Sequence, residues 1–134
     1  MKNTVAEYLI TLFYFLAIDF TWLSIMSKKV YAPQIGHLMA EKPQLLPAFI
    51  FYLLFVVGLL VFVILPSISQ NFSIGKTLLY AALFGLVTYA TYDLTNLATL
   101  KNWSIVVTII DMIWGATLSA LVTLLSILTF RKIG

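Results

Sequence analysis

The stretch from Pro43 to Gly75 contains no charged residue, and it constrains the fold more than any other feature of the chain. An α-helix rises about 1.5 Å per residue, so about 20 apolar residues cross the roughly 30 Å hydrocarbon core of a bilayer. Backbone amides in lipid need hydrogen-bond partners within their own segment, and a helix supplies them. The stretch therefore predicts a transmembrane helix.

Apolar runs of similar length occur on both sides of this stretch. Of the 134 residues, 62% are hydrophobic and 10% are charged, whereas soluble domains carry about a quarter charged residues. We predict one transmembrane domain over residues 1–134 with helices at 5–26, 45–66, 77–98 and 104–129. Four spans leave no room for a soluble catalytic domain, so the predicted fold is all-α, an integral membrane antiparallel four-helix bundle.

The connection over residues 27–44 is the longest between predicted helices. Pro33 suits the first turn of a helix, and four apolar side chains follow at helical spacing: Tyr31, Ile35, Leu38 and Met39. One interpretation is a short interfacial helix on the membrane surface, and the other is an irregular surface loop.

The cationic residues bear on partners and orientation. The net charge of +3 comes from a few side chains at loops and ends, which indicates contact with membrane lipids and no nucleic-acid partner. Four cations fall on each side of the predicted bundle, namely Lys2, Lys76, Arg131 and Lys132 against Lys28, Lys29, Lys42 and Lys101. Counting the terminal amine favours both termini in the cytoplasm.

Three aspartates, Asp19, Asp93 and Asp111, lie inside predicted spans. An aspartate at mid-span costs roughly 2.5–3.5 kcal/mol, so each needs a compensating role. All three lie five to seven residues from helix ends that open on the same side, which places them in one layer about 10 Å below that surface. Tyr52 reaches the same depth, so every helix contributes a polar group to this layer.

Helical spacing adds neighbours to the acids. Trp22 shares a face with Asp19, Trp114 shares one with Asp111, and Tyr89 and Asn96 flank Asp93. Carboxylates crowded in a low dielectric need a proton, a cation or hydrogen-bond donors. We therefore predict a binding site formed by Asp19, Trp22, Tyr52, Tyr89, Asp93, Asn96, Asp111 and Trp114, in which Asp93 hydrogen-bonds Tyr52, Tyr89, Asn96 or Trp114.

Two local patterns carry less functional weight. Gly115, Ser119 and Thr123 recur every four residues, a spacing that favours close helix packing. The triplets Asn71-Phe-Ser and Asn102-Trp-Ser match the glycosylation acceptor pattern but lie at predicted helix ends.

Specific strings of this sequence resemble a known family. They are Tyr89-Ala-Thr-Tyr-Asp-Leu-Thr-Asn96, Ala98-Thr-Leu-Lys-Asn-Trp103, Asp111-Met-Ile-Trp-Gly115, Asp19-x-x-Trp22-Leu and Pro47-Ala-x-x-x-Tyr52. Together they resemble the small bacterial four-span membrane proteins grouped as a domain of unknown function, DUF2177. The resemblance extends over essentially the whole chain. It implies a multi-pass protein of the bacterial inner membrane and no established activity.

Function is open among three classes at this point. The sequence contains no Walker loop, no Gly-x-Ser-x-Gly elbow and no His-Glu-x-x-His motif, and it identifies no catalytic residue and no cofactor. With no cysteine and one histidine, it predicts no metal site. The first hypothesis is a binding or transport site for a small cationic or hydrogen-bond-donating molecule or a lipid headgroup.

The alternatives are a membrane-embedded enzyme or accessory subunit of lipid modification, and a structural bundle that assembles with a larger membrane partner. The small size and the balanced flanking charge also favour a homodimer.

Overall fold

Four long helices form the protein. The computed structural model describes residues 3–133, so Lys2 of the charge count lies outside the described residues. The helices are α1 (Thr4–Leu38), α2 (Leu45–Ser69), α3 (Ile74–Thr99) and α4 (Ile105–Ile133), each long and apolar enough to cross a membrane. Residues 3–133 contain no β-strand. The predicted all-α membrane bundle is confirmed.

Helix α1 continues beyond residue 26 into the connection. It changes there from α-helical to π-helical geometry over Ser27–Tyr31 and finishes in a 3-10 turn at Gly36–Leu38. We call residues 27–38 the cap segment. Only residues 39–44 before α2 are irregular. A π-helical turn accommodates an extra residue and often occurs at functional sites.

The two Asn-x-Ser triplets form the turns before α3 and α4. Asn71 and Asn102 have positive φ angles of 57° and 61°, a left-handed conformation that asparagine tolerates better than most residues. Ser73 and Ser104 then accept hydrogen bonds from backbone amides three residues later, at 3.1 and 3.0 Å. Both triplets therefore act as turn and helix-cap signals.

Helices α3 and α4 make the most extensive contact in the bundle. Gly85 of α3 faces the backbone of Gly115 and the hydroxyl of Ser119 on α4, and Ser119 and Thr123 are fully buried. The small residues of α4 thus allow the two backbones to approach closely, as their spacing predicts.

The other helices complete the bundle around this pair. Helix α1 packs on α2 and α4, and α2 contacts α3 chiefly through its π-helical turn at Leu60–Ile64. Apolar side chains fill the middle of the bundle, among them Phe15, Phe55, Leu59, Leu118 and Val122. This core closes the floor of a cavity at the end of the bundle that carries the first and third connections.

Candidate ligand site

A cavity of about 730 Å³ lies beneath the cap segment, between all four helices. Cavities of a few hundred to a thousand cubic ångströms typically hold small-molecule ligands. Its charged lining residues are Asp19 and Asp111, and no lysine or arginine lines it within the described chain. The cavity therefore favours positive charge or hydrogen-bond donors.

Asp19 and two tryptophans join α1 to α4 at this cavity. The indole Nε1 of Trp114 donates a hydrogen bond to Asp19 Oδ1 at 3.0 Å. The ring of Trp114 stacks on that of Trp22, with centroids 4.1 Å apart and planes inclined by 6°. Asp19 is 5% exposed, so the stacked pair both shields this carboxylate and supplies one donor to it.

Tyr31 of the cap segment connects the two sides of the cavity. Its hydroxyl accepts a hydrogen bond from Trp22 Nε1 at 3.1 Å and donates one to Asp111 Oδ1 at 2.8 Å. Gln34, also in the cap segment, accepts a bond from Ser104 at the start of α4 at 2.8 Å. These bonds hold the cap segment over the cavity.

Asp93 lies close to Asp111 and is fully buried. Neither of its carboxyl oxygens has a hydrogen-bond partner among the described residues. The predicted bond to Tyr52, Tyr89, Asn96 or Trp114 is therefore wrong. The side chain faces α4 and its second acid, and Trp114, one of the four expected donors, donates to Asp19 instead.

The structure brings most of the predicted site residues together. The cavity is lined by Asp19, Trp22, Tyr52, Tyr89, Asp111 and Trp114. Tyr52 packs against Phe15 and Phe20, at centroid distances of 5.3 and 6.0 Å, on the same stretch of α1 as Asp19. Asp93 and Asn96 do not line the cavity. Asp93 lies behind its wall beside Asp111, whereas Asn96 is half-buried further along α3.

Sequence reasoning missed several lining residues, among them Tyr31 and Trp103. Tyr31 shares its helical spacing with Ile35 and Met39, and all three line the cavity. The apolar pattern of this segment therefore indicated that one of its faces packs against the rest of the protein. Trp103 is 9% exposed, and its indole donates to Thr108 at 3.0 Å. The bond fixes this aromatic ring against the first turn of α4.

The chemistry of the site is that of carboxyl groups, phenols and indoles. Residues 3–133 contain no cluster of three or more histidine, cysteine, aspartate or glutamate side chains arranged to hold a metal ion. The described side chains instead offer acidic acceptors at the base of the cavity and aromatic faces along its walls.

Replacing Tyr31 by phenylalanine should loosen the cap segment. The change leaves Asp111 without its phenol donor and Trp22 without its acceptor, and an unsatisfied buried group costs about 1–3 kcal/mol. We expect faster amide hydrogen exchange over residues 27–38 and a lower unfolding temperature. The matched control is Tyr80→Phe on the exposed face of α3, which should change neither. Unchanged exchange in the cap segment of Tyr31→Phe would contradict the bridging role.

Comparison with known proteins supports a family assignment. No curated protein and no solved structure matches the chain significantly. A family model described as predicted membrane protein (DUF2177) matches residues 4–128, which include all four helices up to the last turns of α4. The chain belongs to DUF2177, a family of predicted membrane proteins of unknown function.

Proposed function

We propose that the cavity is a binding or transport site for a small cationic or hydrogen-bond-donating molecule or a lipid headgroup. The observation that carries this proposal is a pair of neighbouring acids, one behind the wall of the cavity and one on its lining. Asp93 has no hydrogen-bond partner among the described residues, and the neighbouring Asp111 opens into the cavity. In this pair Asp111 Oδ1 accepts a bond from Tyr31, and both oxygens of Asp93 remain without one.

Packing alone is a poor explanation for this arrangement. A buried polar group without a partner costs about 1–3 kcal/mol, and most buried polar groups in native proteins are hydrogen-bonded. A ligand that brings positive charge or donors to Asp111 would relieve the excess of acceptors. Ionisable groups within a membrane commonly mark such sites.

The aromatic walls suit the same ligand class. The faces of tryptophan and tyrosine rings attract cations within about 6 Å of the ring centre. Four aromatic side chains line the cavity together with the acids. They are the stacked rings of Trp22 and Trp114 and the phenols of Tyr52 and Tyr89. A cation bound at Asp111 would therefore meet ring faces as well as carboxylate oxygens.

The charge count and the family resemblance support a proposal for the location. We propose that the protein lies in the bacterial inner membrane with both termini in the cytoplasm. The cavity lies at the end of the bundle with the first and third connections, so in this orientation it would face the periplasmic half of the membrane.

The direct test is a thermal-stability screen of the purified protein in phosphatidylglycerol nanodiscs. Ammonium compounds such as ethanolamine, choline and spermidine should raise the unfolding temperature by mass action, and acetate at the same ionic strength should not. Asp111→Asn should weaken the binding of the stabilising compound by about tenfold or more, since a hydrogen bond to a charged group contributes about 1.5–3 kcal/mol.

Glu41→Gln is the matched control, because Glu41 is exposed and lies outside the cavity. It removes the same formal charge and should leave the effect of the compound unchanged. Absence of stabilisation by every cation, or equal losses in Asp111→Asn and Glu41→Gln, would overturn the proposed function.

A further inference from the structure

The cavity reaches the protein surface where its lining residues are exposed. Five of its lining residues are exposed, and they are contributed by the connection after α1, the start of α2, and α3: Met39, Pro47, Ala48, Phe51 and Tyr92. The lining residues from α1 and α4 are buried or half-buried. We call these five exposed residues the portal.

The packing of α2 explains the position of the portal. Helix α2 contacts α3 chiefly through its π-helical turn at Leu60–Ile64, far from its first turns. Nearer the cavity, the rings of Phe51 and Tyr89 meet edge to face at 6.3 Å and form the lower edge of the gap. Above this pair the two helices stand apart, so the portal opens sideways between them.

The portal differs chemically from the base of the cavity. Its side chains are those of methionine, proline, alanine, phenylalanine and tyrosine, whereas the base carries Asp19 and Asp111. Beyond the portal, Leu45 and Leu46 on the first turn of α2 are 74% and 70% exposed, as expected for a surface in contact with lipid. An apolar path therefore leads from the bilayer to an acidic floor.

We propose that the occupant is an amphiphile with an ammonium head and an apolar chain, which enters sideways from the bilayer. The head binds at Asp111 between the tryptophan and tyrosine rings, and the chain leaves through the portal between α2 and α3. This inference rests on the proposed function and narrows its ligand class. A water-soluble cation would gain nothing from an apolar portal, whereas an alkyl chain gains about 0.8 kcal/mol for each methylene that it transfers from water to the portal and the adjoining bilayer.

The first experiment varies the chain at a constant head. Ethylammonium, hexylammonium and dodecylammonium are titrated against the protein in phosphatidylglycerol nanodiscs, with affinity expressed against the free aqueous concentration of each compound and with the signal of empty nanodiscs subtracted. Hexylammonium should bind at least about tenfold more tightly than ethylammonium, and dodecyl sulfate should not compete. Repeating the titration in phosphatidylethanolamine nanodiscs distinguishes the source of the ammonium head. Weaker binding of the added compound, through competition with the lipid, identifies a resident lipid headgroup. Undiminished binding identifies a free amphiphile.

The second experiment narrows the portal. Ala48→Trp places a large ring in the portal, and it should slow the association of dodecylammonium by about tenfold or more relative to that of ethylammonium. The control is Ala17→Trp, an exposed alanine of α1 outside the cavity. Equal affinity across the chain-length series overturns the amphiphile and leaves the cation site intact. Failure of every ammonium compound instead overturns the proposed function itself.

Discussion

Replacing Gly85 by alanine is expected to disrupt the contact between α3 and α4 and to lower the unfolding temperature by roughly 10 °C, for a loss of about 3 kcal/mol. The added methyl group would overlap the carbonyl of Gly115 and the hydroxyl of Ser119. A flexible side chain could turn away, but a backbone carbonyl cannot, so the helices must separate. Because this is the most extensive helix contact of the bundle, the whole structure should be affected.

Gly75→Ala provides the matched control on the same helix. No atom lies within 4 Å of the position that its methyl group would take, and alanine is favoured over glycine within a helix by about 1 kcal/mol. The unfolding temperature should therefore stay constant or rise slightly. Thermal unfolding of both variants in the same detergent tests the argument, and a similar small change in the two would show that the close approach at Gly85 contributes little.

The spans of this fold could be predicted from the sequence because lipid leaves few alternatives. Long apolar runs in a bilayer have to form helices, and the run without charge from Pro43 to Gly75 became α2 with its following turn. The cap segment could not be predicted in the same way. Apolar residues at helical spacing, such as Tyr31 and Ile35, show that one face is covered, but the pattern does not distinguish the bilayer from a cavity of the same protein.

The depth of the candidate site in the bundle could be predicted from the sequence, whereas the direction in which the side chains of α3 point was harder to predict. The rise per residue is constant, so counting from helix ends predicted one depth for Asp19, Tyr52 and Asp111, and these three residues line one cavity. Rotation of α3 about its own axis was harder to predict, because polar side chains at Tyr92, Asp93 and nearby positions cover most of its circumference. Only the packing against α4, which depends on Gly85, turns Asp93 inward and leaves Tyr92 exposed.

Replacing Asp93 by asparagine should have opposite effects on stability and on ligand binding. The carboxyl group is fully buried and neither oxygen is hydrogen-bonded within the described chain, so the native residue lowers the stability of the empty protein. Asparagine has nearly the same size and cannot ionise. We expect an unfolding temperature equal to or above that of the wild-type protein in the absence of a cation.

Stabilisation by the cation should be weakened in the same variant, by about tenfold in affinity, which corresponds to about 1.4 kcal/mol. Asp19 and Asp111 already accept bonds from Trp114 and Tyr31, whereas neither oxygen of Asp93 accepts one within the described chain. Asp93→Asn therefore removes the neighbouring carboxyl group that supports a cation bound at Asp111. Thermal unfolding with and without the cation separates the two effects. An acid that only held helices together would lose stability on this change and leave binding intact, and that pair of results would refute the functional role of Asp93.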